Sequence, residues 1–313
     1  MESTITFFKT ENNFFKNKNI IITGATSPVG ISLVETLCSL GANLLLISHN
    51  ESKLKNTFSH LLENNNKDSD ENEIRSQSNN NSNNINIDIK NEIQYEIIDL
   101  ENPKEINSKY SLCLKKLKAK LDILLICHGI SCYTKIKDCS KENFDKIMNI
   151  NVRSVFHILS ISVPFLKLTK GNCVILSSIE SFIPKNTGFL NTTSKAMINS
   201  LVQNAALELS YFNVRINAVA PAMIKKEEKP NEMNNYDFSN IGKMGWGGLG
   251  SGGEDEYLEM FPLGKKLVEK ENVVDTILFL ASDEASFITG EIIQNDNGYG
   301  INHDMSYTKE NQY

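Results

Sequence analysis

Short apolar strands alternating with helices of ten or more residues predict an α/β fold, a doubly wound parallel sheet of the Rossmann type in a single domain. Three observations carry this expectation. The runs "KNIIITG" (18–24) and "NLLLIS" (43–48) are apolar throughout, as strands buried on both faces are. Helical periodicity follows the first of them, with Val29, Leu33, Leu37 and Leu40 on one face and Gly41 as a stop. Between that strand and that helix lies a turn of small residues, which places a ligand beyond the C-terminal ends of the strands.

The remaining elements follow in order. After 43–48 comes a helix, "ESKLKNTFSHLL", then an Asn-rich polar segment over residues 63–92. That segment has too little apolar surface to offset its ordering entropy and reads as a disordered insertion. The alternation resumes with strand 93–99, a helix near 103–119, strand 121–127, and the long helix "KENFDKIMNINVRSVFHILSISVPFLKL". Strand "NCVILSS", a helix over 192–211 and strand "VRINAVA" come next. A second insertion, 225–261, holds the only tryptophan and a glycine-rich run that reads as a lid. Helix "KENVVDTILFLASD" and strand "EIIQND" close the pattern.

Composition narrows the function classes. A net charge of −6 gives no basic face for nucleic acid or an anionic membrane. The most apolar run, near "VFHILSISVPFL", reads as too short for a membrane span, which needs about 18 residues. The six cysteines include no C-x-x-C pair and lie mostly in apolar runs, as reduced core thiols do. The N-terminus shows no signal peptide. A cytoplasmic protein acting on a small-molecule substrate, with no metal site, is the expectation.

The first turn, Thr23-Gly24-Ala25-Thr26-Ser27-Pro28-Val29-Gly30, offers backbone N–H groups and a positive helix end to a phosphate. It resembles the T-G-x-x-x-G-x-G loop of the short-chain dehydrogenase/reductase family, with Pro28 in place of the middle glycine. The resemblance covers nearly the whole chain outside the two insertions. "LDILLICHG" (121–129), "FDKIMNINVRSVF" (144–156), "VILSS", "TSK", "VRINAVAPAMI" (214–224) and "ILFLASDEASFITGEIIQNDNG" (277–298) match family motifs in the family's order. It implies that Asn151, Ser178 and Lys195 are catalytic. It places Gly24, Ser27, Val29 and Gly30 at the cofactor pyrophosphate, Asp99 and Leu100 at the adenine, and Gly129, Lys195, Pro221 and Ile224 along the rest of the cofactor. It further implies that the helices at 143–168 and 192–211 pair across a two-fold axis in a homodimer or homotetramer.

The family's proton-donating tyrosine stands four residues before its lysine, which here is Asn191. An asparagine amide donates a hydrogen bond but cannot release a proton near neutral pH. Two other residues come into view as donors. Glu180 lies where dienoyl reductases of the family carry their tyrosine, although it reads first as a solvated loop carboxylate. Tyr133 reads first as rim packing, and His128 as a core or cofactor-lining histidine. NAD-type relatives carry an acidic residue after the second strand; Ser48 and His49 stand there, so NADP is expected, with NAD as the alternative. The functional expectation is an NADP(H)-dependent oxidoreductase that reduces a carbonyl or activated enoyl group through an altered proton-donating site. The rival is an inactive pseudoenzyme that binds cofactor or acts as a scaffold. Ser178, Lys195 and Asn151 favour the first; Asn191, Pro28 and Lys226 favour the second.

Overall fold

A computed structural model describes residues 14–67, 92–184, 188–225 and 258–302. Residues 68–91 of the Asn-rich insertion, residues 226–257 of the lid-like insertion, and Lys226 with them lie outside the described residues. Seven parallel strands form one sheet in the order β3-β2-β1-β4-β5-β6-β7. They are β1 (Asn19–Thr23), β2 (Asn43–Ser48), β3 (Ile93–Ile97), β4 (Ile123–Ile126), β5 (Asn172–Leu176), β6 (Arg215–Pro221) and β7 (Ile292–Asn295). Connected strands move outward from β1 to β3, and the chain then crosses back to place β4 on the other side of β1. That reversal opens a crevice at the C-terminal ends of β1 and β4.

Alternation of side chains along each strand sorts the core onto two faces. Ile20, Ile22, Leu44, Leu46, Ile123 and Leu125 pack beneath α1 (Pro28–Ser39) and α6 (Lys270–Ala281), through Leu33, Leu37, Val273 and Ile277. Ile21, Leu45, Ile47, Leu124 and Ile126 pack on the opposite face, against α3 (103–116), α4 (Lys141–Thr169) and α5 (Phe189–Ser210). Each such buried aliphatic side chain contributes about 1.5–3 kcal/mol.

Several expectations are corrected. Helix α2 (Glu51–Lys67) continues five residues into the stretch assigned to the first insertion. At its far end, Glu92 is already tied to β2, accepting from Leu44 N–H at 2.8 Å and donating its own N–H to Asn43 Oδ1 at 3.2 Å. Helix α5 starts at Phe189 rather than 192, because Thr192 N–H reaches the carbonyl of Gly188 (2.9 Å) and closes a turn without any side-chain cap. Helix α4 is, by length and composition alone, apolar enough to cross a membrane, so the expectation that no stretch reaches that length fails. Its Val155, Ile158, Leu159 and Leu166 are buried against the sheet, the placement of a core helix.

Candidate active site

The turn after β1 is built from backbone. Ser27 caps α1 by accepting from Gly30 N–H (3.1 Å), and Pro28 occupies the first helical position, where no N–H is needed. Gly24 has φ +67, and a Cβ there would lie 2.7 Å from the backbone N and Cα of His128. A Cβ on Gly30 would lie 2.3 Å from the carbonyl oxygen of Gly24. The chain therefore folds back on itself here only with glycine at both positions, and the resulting cradle beside a helix N-terminus fits a pyrophosphate. Pro28 and the Ser27 cap remove two of the donors that such a cradle would otherwise offer.

At the end of β2, Ser48 is buried, with its hydroxyl 3.2 Å from Thr26 Oγ1 and accepting from Asn50 N–H at 3.2 Å. His49 beside it is exposed. At the end of β3, Asp99 Oδ1 accepts from Glu101 N–H (2.9 Å), a strand-end turn of its own, and Leu100 is half-buried. At the end of β6, Pro221 is buried, and beyond it Ile224 pairs with Val268 in an isolated parallel bridge that brings together the two chain segments flanking 226–257.

The catalytic wall is built from side chains. The helix α4 widens into a π-helical turn at Asn149–Arg153, and Asn151 sits on it, 2 % exposed. Such bulges recur at functional sites. Asn151 clasps Ile130 by both backbone groups, Oδ1 accepting from its N–H and Nδ2 donating to its carbonyl, each at 2.9 Å. Lys195 Nζ donates to the Leu176 carbonyl at the end of β5 (2.7 Å). Its ammonium is pushed down to about 8, chiefly by burial, against the opposing influence of Cys127 and Glu180. A Cβ built on Gly129 would lie 3.4 Å from Asn151 Oδ1 and 3.5 Å from Lys195 Nζ, so these two polar atoms converge on that glycine. Ser178 is half-buried and accepts from Glu180 N–H (3.2 Å), opening the short helical turn Ile179–Ser181.

Asn191, in the first turn of α5, is 4 % exposed. Its Oδ1 accepts from Cys132 N–H at 2.9 Å, which fixes the amide's orientation, because a backbone N–H needs an acceptor. Its Nδ2 is buried without a partner among the described residues. Glu180 is not the solvated carboxylate that its sequence context suggests: it is 5 % exposed, and Tyr133 OH donates to its Oε1 at 2.9 Å. Tyr133 is thereby more than rim packing. His128 is the core residue expected. Ser154 donates to the Ile150 carbonyl, so it accepts from His128 Nε2–H (2.7 Å), while Nδ1 accepts from the Thr23 hydroxyl (2.7 Å). Burial first, and the Lys195 charge second, push the imidazole down to about 3, so it is neutral. No cluster of metal-ligating side chains occurs among the described residues. The proximity of Tyr133 and Glu180 had no local signal in the sequence.

Residues 72–300 match the family described as enoyl-(acyl carrier protein) reductase. A tropinone reductase homolog of Arabidopsis thaliana, described as chloroplastic, is 25 % identical over 302 residues, which cover 96 % of this chain and 81 % of the relative. An NAD-dependent glycerol dehydrogenase of Listeria innocua is 28 % identical, covering 91 % of this chain and 93 % of its own. Among solved structures, a short-chain type dehydrogenase/reductase from Mycobacterium ulcerans superposes with a TM-score of 0.72 at 22 % identity, over 92 % of this chain and 91 % of that one. That likeness concerns the fold.

Proposed function

Because the chain belongs to the short-chain dehydrogenase/reductase family, an oxidoreductase family whose members use NAD(P), we propose that it is an NADP(H)-dependent reductase of a carbonyl or activated enoyl group, with Asn191 at the position of the usual proton donor. When bound, the reduced nicotinamide supplies hydride to the electrophilic carbon. The residues that would hold the cofactor are Gly24, Ser27, Val29 and Gly30 at the pyrophosphate, with Asp99, Leu100, Gly129, Pro221 and Ile224 along its length. Lys195 would hold the nicotinamide ribose, and Ser178 would orient the substrate oxygen. No carboxylate stands at positions 48–50, and the exposed His49, with Lys53 in the first turn of α2, supports a 2′-phosphate over a bare hydroxyl.

The observation that carries the reading is the Asn191 amide. A buried N–H group left unpaired costs about 1–3 kcal/mol, and a substrate oxygen is the acceptor that would satisfy Nδ2. A donor aimed at a developing oxyanion is worth roughly 3 kcal/mol where it has been measured. The amide itself supplies no proton, so a ketone is reduced here only as fast as a proton reaches its oxygen from elsewhere, whereas an enolate can take one from water.

Asn191→Tyr tests the reading. It raises ketone reduction with NADPH, by as much as about 10²-fold if the phenol recovers part of the general-acid contribution, and the gain disappears when Lys195→Ala is added. Wild type that already reduces ketones faster than Asn191→Tyr overturns it. NADPH binding without turnover by either form supports the cofactor-binding pseudoenzyme instead.

A second copy of the chain is the proposed partner. The groove between α4 and α5, about 530 Å³, is lined by Val152, Phe156, Leu159, Val163, Met197 and Leu201. Phe156 is 54 % exposed and Leu207 70 %, on helix faces left over after the sheet contact. Light scattering at micromolar concentration should give a dimer or tetramer of the 35.1 kDa chain; a monomer refutes this. The six free thiols, three of them buried, support a reducing compartment such as the cytoplasm.

A further inference from the structure

The site described above has a position without a transferable proton and, on the same wall, two residues that hold one between them. Tyr133 OH and Glu180 Oε1 are 2.9 Å apart. The loop carrying Tyr133 is held by Asn151 at Ile130 and by Asn191 at Cys132, the residue before the tyrosine. The residue carrying the carboxylate is held by its N–H to Ser178 Oγ. Asn191 thus anchors the loop that presents the phenol, and Ser178 anchors the turn that presents the acid. The phenol is half-buried, so solvent protons reach it, whereas the carboxyl is 5 % exposed. Among the described residues, the charged and titratable groups facing Glu180 include Tyr133 from the loop, Lys195 from α5 and Tyr299 from the C-terminal segment.

We propose that the Tyr133–Glu180 pair delivers the proton that Asn191 cannot. This rests on the reductase reading above. In its loaded form the pair carries two protons, one on the phenol and one on the carboxyl. Hydride addition breaks the substrate C=O π bond, reduces the carbonyl carbon and leaves the electron pair on its oxygen; the cofactor is the species oxidised. That oxygen takes the phenol proton of Tyr133 while the phenol oxygen takes the carboxyl proton of Glu180. The products are an alcohol, a neutral phenol and a carboxylate, joined by the hydrogen bond from Tyr133 OH to Glu180 Oε1 seen in this structure. The Lys195 ammonium stabilises the carboxylate so formed, and a solvent proton arriving through Tyr133 reloads it. The pair is a relay of two acids, with the phenol as the group that touches substrate and Glu180 as the group that recharges it.

The experiment compares wild type, Tyr133→Phe and Glu180→Gln as the full chain, with a β-keto ester and an α,β-unsaturated thioester as probes and NADPH as reductant. Tyr133→Phe should lower kcat for the keto ester by about 10²-fold or more, with NADPH affinity within twofold. The thioester rate should fall less. Glu180→Gln should lower kcat for the keto ester as well, because the amide cannot recharge the phenol. A readout independent of turnover is the titration of Glu180 in cofactor-free protein, followed by NMR with 13C-carboxyl glutamate. Its midpoint should rise in Tyr133→Phe, since the donated hydrogen bond favours the ionised form. Tyr133→Phe retaining wild-type kcat, or a Glu180 midpoint indifferent to Tyr133, overturns the relay and leaves the reductase reading standing. A wild type that binds NADPH but reduces neither probe overturns both.

Discussion

The turn after β1 and the loop after β4 face the same crevice, yet they are made of different material. The first is backbone packed on backbone: a Cβ on Gly30 would lie 2.3 Å from the Gly24 carbonyl oxygen of the same turn, and one on Gly24 2.7 Å from the His128 backbone after β4. The second is held by side chains from three other places in the chain. Ile130, Cys132 and Tyr133 are tied to Asn151, Asn191 and Glu180, at sequence separations of 21, 59 and 47 residues. The turn departs from its family pattern at Pro28 and still forms, because the helix needs no N–H there. In the loop after β4 a changed residue redirects a side-chain contact, as Asn191 does with Cys132. The geometry of the turn is therefore insensitive to most side chains and intolerant of a few added atoms; that of the loop is the reverse.

The largest effect that would break this comparison is Gly30→Ala. The added methyl meets a carbonyl oxygen of its own chain, not a flexible side chain, so relief requires the backbone to shift. A cost on the order of 3 kcal/mol is expected, seen as a drop of roughly 5–10 °C in Tm. An unchanged Tm would show that the turn has slack that the geometry denies.

His128 joins the two regions, from Thr23 on β1 to Ser154 on α4, and gives the next effect. Its folded value, about 3, lies below the ordinary 6.5. Between these values the unfolded chain binds a proton that the fold refuses, so stability is full above about pH 6.5 and falls as pH drops toward 3. His128→Ala should lose about 1–3 kcal/mol at neutral pH, from the Thr23 hydroxyl left without its acceptor and the Ser154 oxygen without its donor. It should also flatten the acid slope of the urea midpoint over that window. A slope as steep as wild type would assign the acid loss to other groups.

The smallest effect sharpens the comparison from the tolerant side. Pro28→Gly restores one backbone donor beside the pyrophosphate and should tighten NADPH by up to about tenfold, with little change in Tm. Fluorescence titration checks it, and weaker binding by the glycine form would mean that Pro28 pre-organises the turn.

How much of this was legible depends on how local each cause is. The seven strands, the start of α1 after the small-residue turn, the stop at Gly41 and the Ser178–Lys195 spacing follow from apolar periodicity and a few short motifs. So does the position of Asn191 four residues before Lys195, since counting needs no structure. Glu180 could not be read in this way. Its neighbours Ser178, Ile179 and Ser181 look like an exposed turn, and only the packing of the 130–134 loop against that turn buries the carboxyl and supplies Tyr133. The start of α5 at Phe189 and the π turn at Asn151 also escaped, because neither carries a capping residue or a break in periodicity. The sequence alone determined the parallel sheet, the glycine cradle and which residue types line the crevice, since these rest on backbone conformation and on contacts within a turn or two. Which of those side chains are buried, which way the Asn191 amide points, and which acid meets which phenol were decided by tertiary structure, because each depends on atoms tens of residues apart that only the closed fold brings within hydrogen-bond reach.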